Sequence, residues 1–497
     1  MKITDCHVHP RAVENYTEEV NHLLRHMRRH GIARMIASDL GDKWLAFPDA
    51  QTLRIANDRL QKACQANPEE LYYLVYLNPQ LNNWREEFER HCVTACGVKL
   101  WISLWTEENH YRCTVEVLQA AAAAGLPVLI HTFERTDGVS PGAVGVEGII
   151  ELARSVPACR IVAAHSCGSW RKAIKHAKEF PENIVFDISG SYPERGMVDR
   201  LVAAFGADRL LYGSDAYGRS FGSQLSKVMH STLAAADMQK ILHENATAIF
   251  KLPPLAEEKT ADLPQWSIPQ ADEDHFCFVG QSEYFDHAVT CDDLERVSVR
   301  KRLFAVDLNV LGTADRVAAN RKFAQTALAY KKIMPLAAVN LAEPLQALRQ
   351  LEDMENFAGI WISPYLDNYK LDYAASREFF DFCAERKIGI WINTALSDDR
   401  FRCSKLRSRV VSFAEIAAFI HAAPENKYVF QAVHALAEAS GSFPDYCRWE
   451  CSRLSDGEYS AESLIRDRQG KVENLLWGSE YPFRDYRAVE DVLLGKI

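Results

Sequence analysis

The feature that most constrains this chain is a regular alternation of short apolar stretches with longer amphipathic ones. In the first half the short stretches are predicted strands at 2–7, 34–37, 72–77, 98–101, 127–131, 160–165, 183–187 and 209–213. Helical patterns separate them, and Gly or Pro commonly stands before the next strand. Eight strand–helix units in series predict a parallel β/α barrel. A doubly wound open sheet is the alternative, but no Gly-x-Gly-x-x-Gly turn follows the first strand.

The alternation returns in the second half, after a polar, proline-punctuated stretch that is typical of a linker. The second series of predicted strands covers 276–279, 303–306, 335–339, 359–362, 388–393, 428–433, 448–451 and 474–478. A chain of 497 residues also exceeds what a single hydrophobic core usually holds. We therefore predict two tandem (β/α)8 TIM-like barrels, over residues 1–252 and 275–497, joined by a linker over 253–274.

Charge and composition exclude several classes of function. The formal net charge is −10, and no clustered stripe of Lys and Arg offsets it, which argues against a nucleic-acid partner. No run approaches the roughly 20 apolar residues that cross a bilayer, and the first residues lack the pattern of a signal peptide. The 13 cysteines are spread through the chain, without the density of a disulfide scaffold. We expect a cytoplasmic protein with reduced thiols and no membrane partner.

Polar side chains of one chemical type stand where predicted strands of the first barrel end. They are His7, His9, His131, His165 and Asp215. Alternation along a strand places His7 and His9 on the same face, at the end of the barrel where such folds build their sites. Imidazole and carboxylate groups suit zinc, and also Mn, Fe, Co or Ni. The sequence therefore predicts a site for a divalent metal.

These motifs resemble those of the amidohydrolase superfamily. The resemblance rests on Asp5-x-His7-x-His9, on Ile130-His131-Thr132, on Ala164-His165-Ser166-Cys167-Gly168 and on Tyr212-Gly213-Ser214-Asp215. The most similar branch is the amidohydrolase-related group that includes aminocarboxymuconate-semialdehyde decarboxylase-like enzymes. The match covers residues 1–250 in motif order and spacing. In residues 275–497 it is detectable only through the internal repeat.

The resemblance implies a role for each of these residues. His7, His9, His131 and Asp215 match the positions that hold the ion in members with one metal. His165 matches the histidine on the sixth strand that activates or orients the metal-bound water. In such enzymes the residue at the position of Asp215 often accepts a proton from that water as well. One ion is favoured over two, and zinc over the other divalent metals.

Lys99, on the fourth predicted strand, has two interpretations. Relatives with two metals carry a lysine at this position whose carbamate bridges the ions, and a modified Lys99 could do the same. The alternative, which we favour, is a lysine that pairs with Asp215 or contacts acidic groups of the substrate. Strand-four lysine also occurs without carbamylation in relatives with one metal.

The second barrel is predicted to be a degenerate, duplicated copy. Residues 97–132 align with 359–394 without a gap, and Phe276-Cys277-Phe278-Val279-Gly280 replaces the first-strand motif. Further replacements are Trp361 for Lys99, Asn393 for His131, Val433 for His165 and Glu480 for Asp215. One carboxylate cannot hold a catalytic metal, so this barrel should be non-catalytic. We expect it to pack on the first barrel as a pseudo-dimer partner.

Three functions are compatible with this pattern. The leading hypothesis is a metal-dependent hydrolase that attacks an amide, lactone or ester of a small molecule with a metal-activated water. The second is a non-oxidative decarboxylase with the same metal site, which a cluster of arginines facing the metal would favour. The third is a non-catalytic binding or scaffold protein with a vestigial metal site. The loops that select a substrate contain no motif that identifies it.

Overall fold

The computed structural model describes residues 1–41, 48–102, 108–134, 144–190, 194–255, 272–281, 288–342, 344–349, 351, 354–396, 409–433, 443–453, 473–484 and 486–488. The chain divides into two compact units. Each unit is built on one eight-stranded sheet. Two tandem TIM-like barrels are therefore confirmed as the fold class. Most of the predicted linker lies outside the described residues, and the proposed domain boundaries stay a prediction.

The first barrel contains eight parallel strands that pair in chain order. They are β1 (Thr4–Val8), β2 (Arg34–Ala37), β3 (Leu71–Leu77), β4 (Gly97–Leu100), β5 (Val128–Ile130), β6 (Ile161–Ala163), β7 (Ile184–Asp187) and β8 (Leu210–Leu211). The ring is closed where the Cys6 N–H donates to the Tyr212 carbonyl at 3.0 Å and where Val8 forms a parallel bridge with Ala216. Closure brings the carboxyl ends of all eight strands to one rim.

Helices follow most strands of the first barrel. They are α1 (Tyr16–Arg29), α2 (Ala50–Ala66), α3 (Trp84–His91), α4 (Glu108–Ala123), α5 (Val146–Ser155), α6 (Trp170–Lys175), α7 (Met197–Phe205), α8 (Phe221–Met229), α9 (Ala235–Gln239) and α10 (Asn245–Ile249). Short 3₁₀ turns cover Ala177–Glu179 and Ala207–Arg209, a turn with left-handed backbone covers Ala164–Gly168, and a π-helical turn covers Lys240–Glu244.

Helix α1 shows how the sequence specifies these helices. The Asn15 side chain accepts a hydrogen bond from the Glu18 N–H at 3.2 Å, which caps the first turn. Leu23, Leu24 and Met27 are spaced to lie on one face, and all three are buried. The Asn15 cap therefore determines where this helix begins, and the amphipathic pattern determines which side is buried.

The second barrel has the same layout, with its own eight strands pairing in chain order. They are β9 (Glu273–Val279), β10 (Arg302–Asp307), β11 (Ile333–Val339), β12 (Gly359–Ile362), β13 (Ile390–Asn393), β14 (Tyr428–Gln431), β15 (Cys447–Glu450) and β16 (Leu475–Leu476). The described helices are α11 (Cys291–Val297), α12 (Arg316–Ala327), α13 (Pro344–Arg349), α14 (Arg377–Glu385) and α15 (Phe413–Ala422), with 3₁₀ turns at Leu308–Gly312 and Ala374–Ser376. A parallel bridge between Cys277 and Tyr481 closes this ring.

The hydrogen bonds of β9 correct the predicted register of the second barrel. Asp274 accepts hydrogen bonds from the N–H groups of Phe276 and Ser479 at 3.0 and 3.1 Å. Asp5 does the same for His7 and Ser214 in the first barrel, both at 3.0 Å.

Phe276 and Phe278 therefore stand at the positions of His7 and His9, and the alignment that began at Phe276 was wrong by two residues. The error arose because strand side chains have a period of two, so a shift by two residues keeps every side chain on its face.

A smaller correction applies to β14. Ala432 has a positive φ of 54°, as His165 does, and each is the second residue after an equivalent strand pairing. Ala432, rather than Val433, thus occupies the position of His165. Trp361 and Asn393 do take the pairing positions of Lys99 and His131. That the two barrels arose by duplication stays a prediction.

The interior of the second barrel is filled by aromatic side chains. A buried cluster includes Phe276, Phe278, Phe304, Trp361 and Trp391. The Phe278 and Trp361 rings meet edge to face, with centroids 6.2 Å apart. Apolar packing therefore occupies the space in which the first barrel places histidines and a lysine.

None of the described helices is long and apolar enough to cross a membrane. The cysteines within the described ranges form no disulfide.

The carboxylate of Glu87 on α3 links two helices around the first barrel. It accepts hydrogen bonds from Asn57 Nδ2 at 2.9 Å and from Arg90 Nη1 at 2.5 Å. Burial raises the pKa of this carboxyl, but hydrogen bonds from His91, Asn57 and Arg90 outweigh burial and lower the pKa to about 2. Because the folded-state pKa is depressed, the ionised carboxylate stabilises the fold above the ordinary value of 4.5 and loses that effect as the pH falls toward 2.

We predict that Glu87→Gln lowers the melting temperature of the first barrel at pH 7 by about 2–4 °C. This corresponds to about 1 kcal/mol, after allowance for solvent screening of the ion pair. Calorimetry between pH 4 and 8 should show the difference unchanged above about pH 5 and shrinking below it. Glu86→Gln on the exposed side of the same helix is the control and should change little. A difference that does not vary with pH would contradict the assigned ionisation.

Candidate metal centre

His7 and His9 bring two imidazole nitrogens together at the carboxyl end of β1. Their Nε2 atoms are 2.9 Å apart, and both side chains are almost fully buried. The two rings stand edge to face, with centroids 4.8 Å apart. This confirms that the two histidines share one face of the strand, as the spacing predicts.

The outer nitrogen of each ring is held by an acceptor. His7 Nδ1 lies 2.6 Å from Asp187 Oδ2, and His9 Nδ1 lies 2.9 Å from the Ser38 carbonyl oxygen. A neutral imidazole that donates from Nδ1 keeps its lone pair on Nε2. Both Nε2 atoms, 2.9 Å apart, are then lone-pair donors that a cation can bind together. The donor set is therefore suited to a metal ion.

Asp215 completes a group of three ligand-type residues. Its Oδ1 lies 3.5 Å from His9 Nε2 and 3.9 Å from His7 Nε2. One ligand atom from each of the three lies within 4.8 Å of the others. The Asp215 N–H donates to the His7 carbonyl at 2.7 Å, which fixes the position of the loop after β8. Two nitrogens and one carboxylate leave coordination positions open for water or substrate.

His131 and His165 form a second pair in the same barrel. His131 Nδ1 lies 3.2 Å from His165 Nε2, and the rings meet edge to face at 5.0 Å. The structure thus places His131 against His165. Ligation by His131 stays a prediction. Trp101 also contacts His131, with the two ring centroids 5.0 Å apart.

The backbone after β6 is left-handed for four residues. His165, Ser166, Cys167 and Gly168 have φ values of 54°, 48°, 67° and 72°. Left-handed backbone costs roughly 1–2 kcal/mol for each residue that carries a Cβ, and such strain is concentrated at functional sites. The Ser166 hydroxyl donates to the Asp187 carbonyl at 3.1 Å, so the turn is tied to the end of β7.

Lys99 reaches the centre of the site from β4. Its Nζ lies 2.8 Å from His7 Nε2, and the residue is buried. Burial lowers the pKa of Lys99 to about 8, although the nearby carboxylates of Asp215 and Asp187 act in the opposite direction. The observed contact is therefore with a histidine, and carbamylation stays an untested alternative.

Burial also shifts the pKa values of the candidate ligands His7 and His9 and of the buried carboxyls near them. It lowers the pKa of His7 and His9 well below the ordinary value, and the charge of Lys99 lowers both further. Neutral imidazoles at neutral pH are what metal ligation requires. Burial also raises the pKa of Asp187 to about 6 and that of Asp5 to about 8.

The residues that orient the histidines were not predicted from the sequence. Asp187, Ser189 and Ser38 are all buried and all contact a candidate ligand. A usable signal was present, because the predicted seventh strand ended on a carboxylate at 187 and a serine followed two residues later. Asp187 also forms a second group of possible ligands with His7 and His165. Its 2.6 Å contact with the outer nitrogen of His7 favours an orienting role.

Fold and site together define a β/α-barrel protein with a histidine-rich site at its carboxyl rim. The family model described as amidohydrolase matches residues 4–252, about half of the chain. The chain therefore belongs to the amidohydrolase family, as its motifs predicted. No curated protein matches it significantly.

Solved structures give weaker matches. A 2,6-dihydroxybenzoate decarboxylase from Rhizobium is 18% identical, with a TM-score of 0.40, over 51% of this chain and 99% of that one. A 5-carboxyvanillate decarboxylase from Sphingomonas paucimobilis is 15% identical, with the same score and coverage. A 4-oxalomesaconate hydratase from Rhodopseudomonas palustris is 15% identical, with a TM-score of 0.39, over 50% of this chain and 96% of that one.

Substitution of Gly190 and of Gly196 by alanine tests how tightly the His165 ring is confined. A Cβ added to Gly190 would lie 2.1 Å from His165 Nδ1, whereas one added to Gly196 would meet nothing within 4 Å. Both glycines have positive φ, of 87° and 72°. We predict that Gly190→Ala destabilises the first barrel more than Gly196→Ala does. The gap should be about 1–3 kcal/mol, at about 2–4 °C in Tm for each kcal/mol. Equal shifts would show that the ring of His165 is not confined at this point.

Proposed function

We propose that the first barrel is a metal-dependent hydrolase that cleaves an amide, lactone or ester of a small molecule. The observation that carries this proposal is the convergence of His7 Nε2, His9 Nε2 and Asp215 Oδ1, each within 4 Å of another. Membership of the amidohydrolase family supports it. The chemistry of the donor set supports a single divalent ion, with zinc first and Mn, Fe, Co or Ni as alternatives.

His7, His9 and Asp215 would hold the ion, with His131 as the predicted fourth ligand. When bound, a divalent ion polarises a substrate carbonyl oxygen and lowers the pKa of a nearby water toward about 7. The open side of the set distinguishes it from structural zinc sites, which close their coordination sphere and often use Cys.

Asp215 and His165 would manage protons during hydrolysis. As water adds to the carbonyl carbon, the Asp215 carboxylate accepts its proton. This group is reachable, because 20% of the side chain is exposed. The Asp215 carboxyl would then pass this proton to the departing amine or alcohol, while the His165 imidazole would activate or orient the water. Lys99, buried beside His7, would contact the carbonyl oxygen or an acidic group of the substrate.

Decarboxylation is the second candidate, and Lys99 is the observation that favours it. A lysine 2.8 Å from His7 Nε2 supplies a positive charge where a substrate carboxylate would bind. Arg11, two residues beyond His9, is a weaker anchor because Glu19 already binds its Nε and Nη2 at 2.8 and 2.5 Å. Carbon dioxide release from carboxylic acids, set against acid release from esters and lactones, decides between the two reactions.

The second barrel would be non-catalytic. Its carboxylate at the position of Asp215 is Glu480, which bonds Arg484 Nε at 2.5 Å and lies 3.6 Å from Arg453 Nη2. All three side chains are almost fully buried. Guanidinium groups thus supply the positive charge that a metal would supply in the first barrel. The predicted pseudo-dimer arrangement of the barrels stays untested.

We predict that the purified protein carries about one equivalent of zinc or another divalent metal, measured by plasma mass spectrometry. His7→Ala/His9→Ala should lose it, because both converging nitrogens are removed. The matched control is His22→Ala/His26→Ala on α1, whose Nε2 atoms are also 2.9 Å apart, and it should keep the metal. Absence of metal from the wild-type protein after reconstitution would overturn the proposal and leave a barrel used for binding.

Removal of the His165 imidazole should separate catalysis from metal binding. We predict that His165→Ala keeps about one equivalent of metal and lowers kcat on the best ester or lactone by about 10²–10⁴-fold, the usual contribution of general acid–base catalysis. Both quantities are measured on the same preparation. Loss of the metal in this variant would instead assign His165 to the ligand set, together with Asp187.

A further inference from the structure

One hydroxyl group stands between the two histidine pairs of the first barrel. Ser189 Oγ lies 3.1 Å from His7 Nδ1, 3.0 Å from His165 Nδ1 and 2.8 Å from Asp187 Oδ2. The residue is fully buried. We propose that Ser189 is a positioning residue that fixes the tautomer of His165 directly and that of His7 through Asp187. Its catalytic meaning rests on the proposed function.

The number of protons determines the direction of each hydrogen bond. A serine hydroxyl has one proton and two lone pairs. The Ser189 hydroxyl donates to Asp187 Oδ2, and the Ser189 N–H donates to Asp187 Oδ1 at 2.6 Å. Only lone pairs then remain for the histidines. His165 must therefore present an N–H at Nδ1, and His7 shares its Nδ1 proton between Asp187 and Ser189.

The second barrel supports this direction independently. Its seventh strand ends with the same arrangement, in which the Ser452 N–H and hydroxyl both donate to Glu450, the hydroxyl at 2.9 Å. Phe276 and Ala432 stand there in place of the two histidines. The same bonding of a serine to a carboxylate two residues earlier therefore recurs at the end of the seventh strand of both barrels. In the first barrel the same geometry leaves the oxygen free to accept from His165.

The tautomer of His165 also determines that of His131. With its proton on Nδ1, His165 has its lone pair on Nε2, which lies 3.2 Å from His131 Nδ1. His131 Nδ1 must then donate, so the lone pair of His131 is left on its own Nε2 atom. One serine thus determines which nitrogen is basic in His7, in His165 and in His131.

The backbone around Ser189 holds it in place. The Lys227 Nζ donates to the Ile188 carbonyl at 2.8 Å, and Arg219 Nε donates to the Gly190 carbonyl at 2.6 Å. Gly190 lets the chain approach the ring of His165, because any Cβ there would clash with it. These contacts make Ser189 a rigid reference point for the imidazoles rather than a mobile donor.

The test is the tautomer of each histidine in the metal-free full-length protein, read from ¹⁵N ring shifts and assigned with single His→Gln variants. In the wild type, His7 and His165 should both be Nδ1–H. Ser189→Ala should move His165 largely to the Nε2–H form and weaken zinc binding about 10–100-fold, the usual effect of removing an outer hydrogen-bond partner. Ser189→Thr keeps the hydroxyl and should restore both values.

Two further variants complete the design. Ser189→Cys keeps the side-chain shape with a weak hydrogen-bonding group and should behave like the alanine variant, so the test survives if Ser189→Ala fails to fold. Ser226→Ala on α8 removes an equally buried hydroxyl, bonded to the Ser223 carbonyl at 2.6 Å, and should change neither readout.

Unchanged tautomers and zinc affinity in Ser189→Ala and Ser189→Cys would overturn the inference. A tautomer change in a protein that binds no zinc would support the role of Ser189 and overturn the proposed function instead.

Discussion

The site depends on one buried contact, the 2.6 Å hydrogen bond between Asp187 Oδ2 and His7 Nδ1. It sets the direction of the His7 ring, and the ring then presents Nε2 to His9, Lys99 and Asp215. Burial raises the pKa of Asp187 to about 6, so this carboxylate is ionised at neutral pH only because its partners compensate the loss of water. The fold supports the contact because β7 pairs with β8, and the segment after β8 closes the ring on β1, so that the ends of β7 and β1 lie on one rim.

The second barrel has the same strand layout, with other side chains at the positions of the first barrel's histidines. It keeps the strand-end carboxylates, since Asp274 bridges the first and last strands as Asp5 does. Phenylalanine and tryptophan fill the interior, and buried arginines neutralise Glu480. Burial also raises the pKa of Glu450 to about 8. Carboxylates that brace the backbone are therefore common to both barrels, whereas converging imidazoles occur in the first.

The sequence was sufficient to predict those parts of the site that lie at strand ends. His7, His9 and Asp215 could be placed together because alternation and barrel closure determine where such residues meet. The pairing of His131 with His165 could not be foreseen, because it requires three successive non-glycine residues with positive φ. Asp187 was missed since a carboxylate at a strand end has many ordinary uses. The alignment of the first strand of the second barrel, which began at Phe276, was wrong because a shift by two residues preserves the alternation of side chains.

We propose that imidazole and carboxylate groups of the first barrel hold a divalent ion. An X-ray absorption spectrum at the zinc edge of the zinc-loaded protein tests it most directly. We expect a shell of nitrogen and oxygen at about 2.0–2.1 Å with the scattering pattern of imidazole rings. Sulfur at about 2.3 Å would contradict it, since the ion would then be bound by cysteines such as Cys6 or Cys167 rather than by His7 and His9.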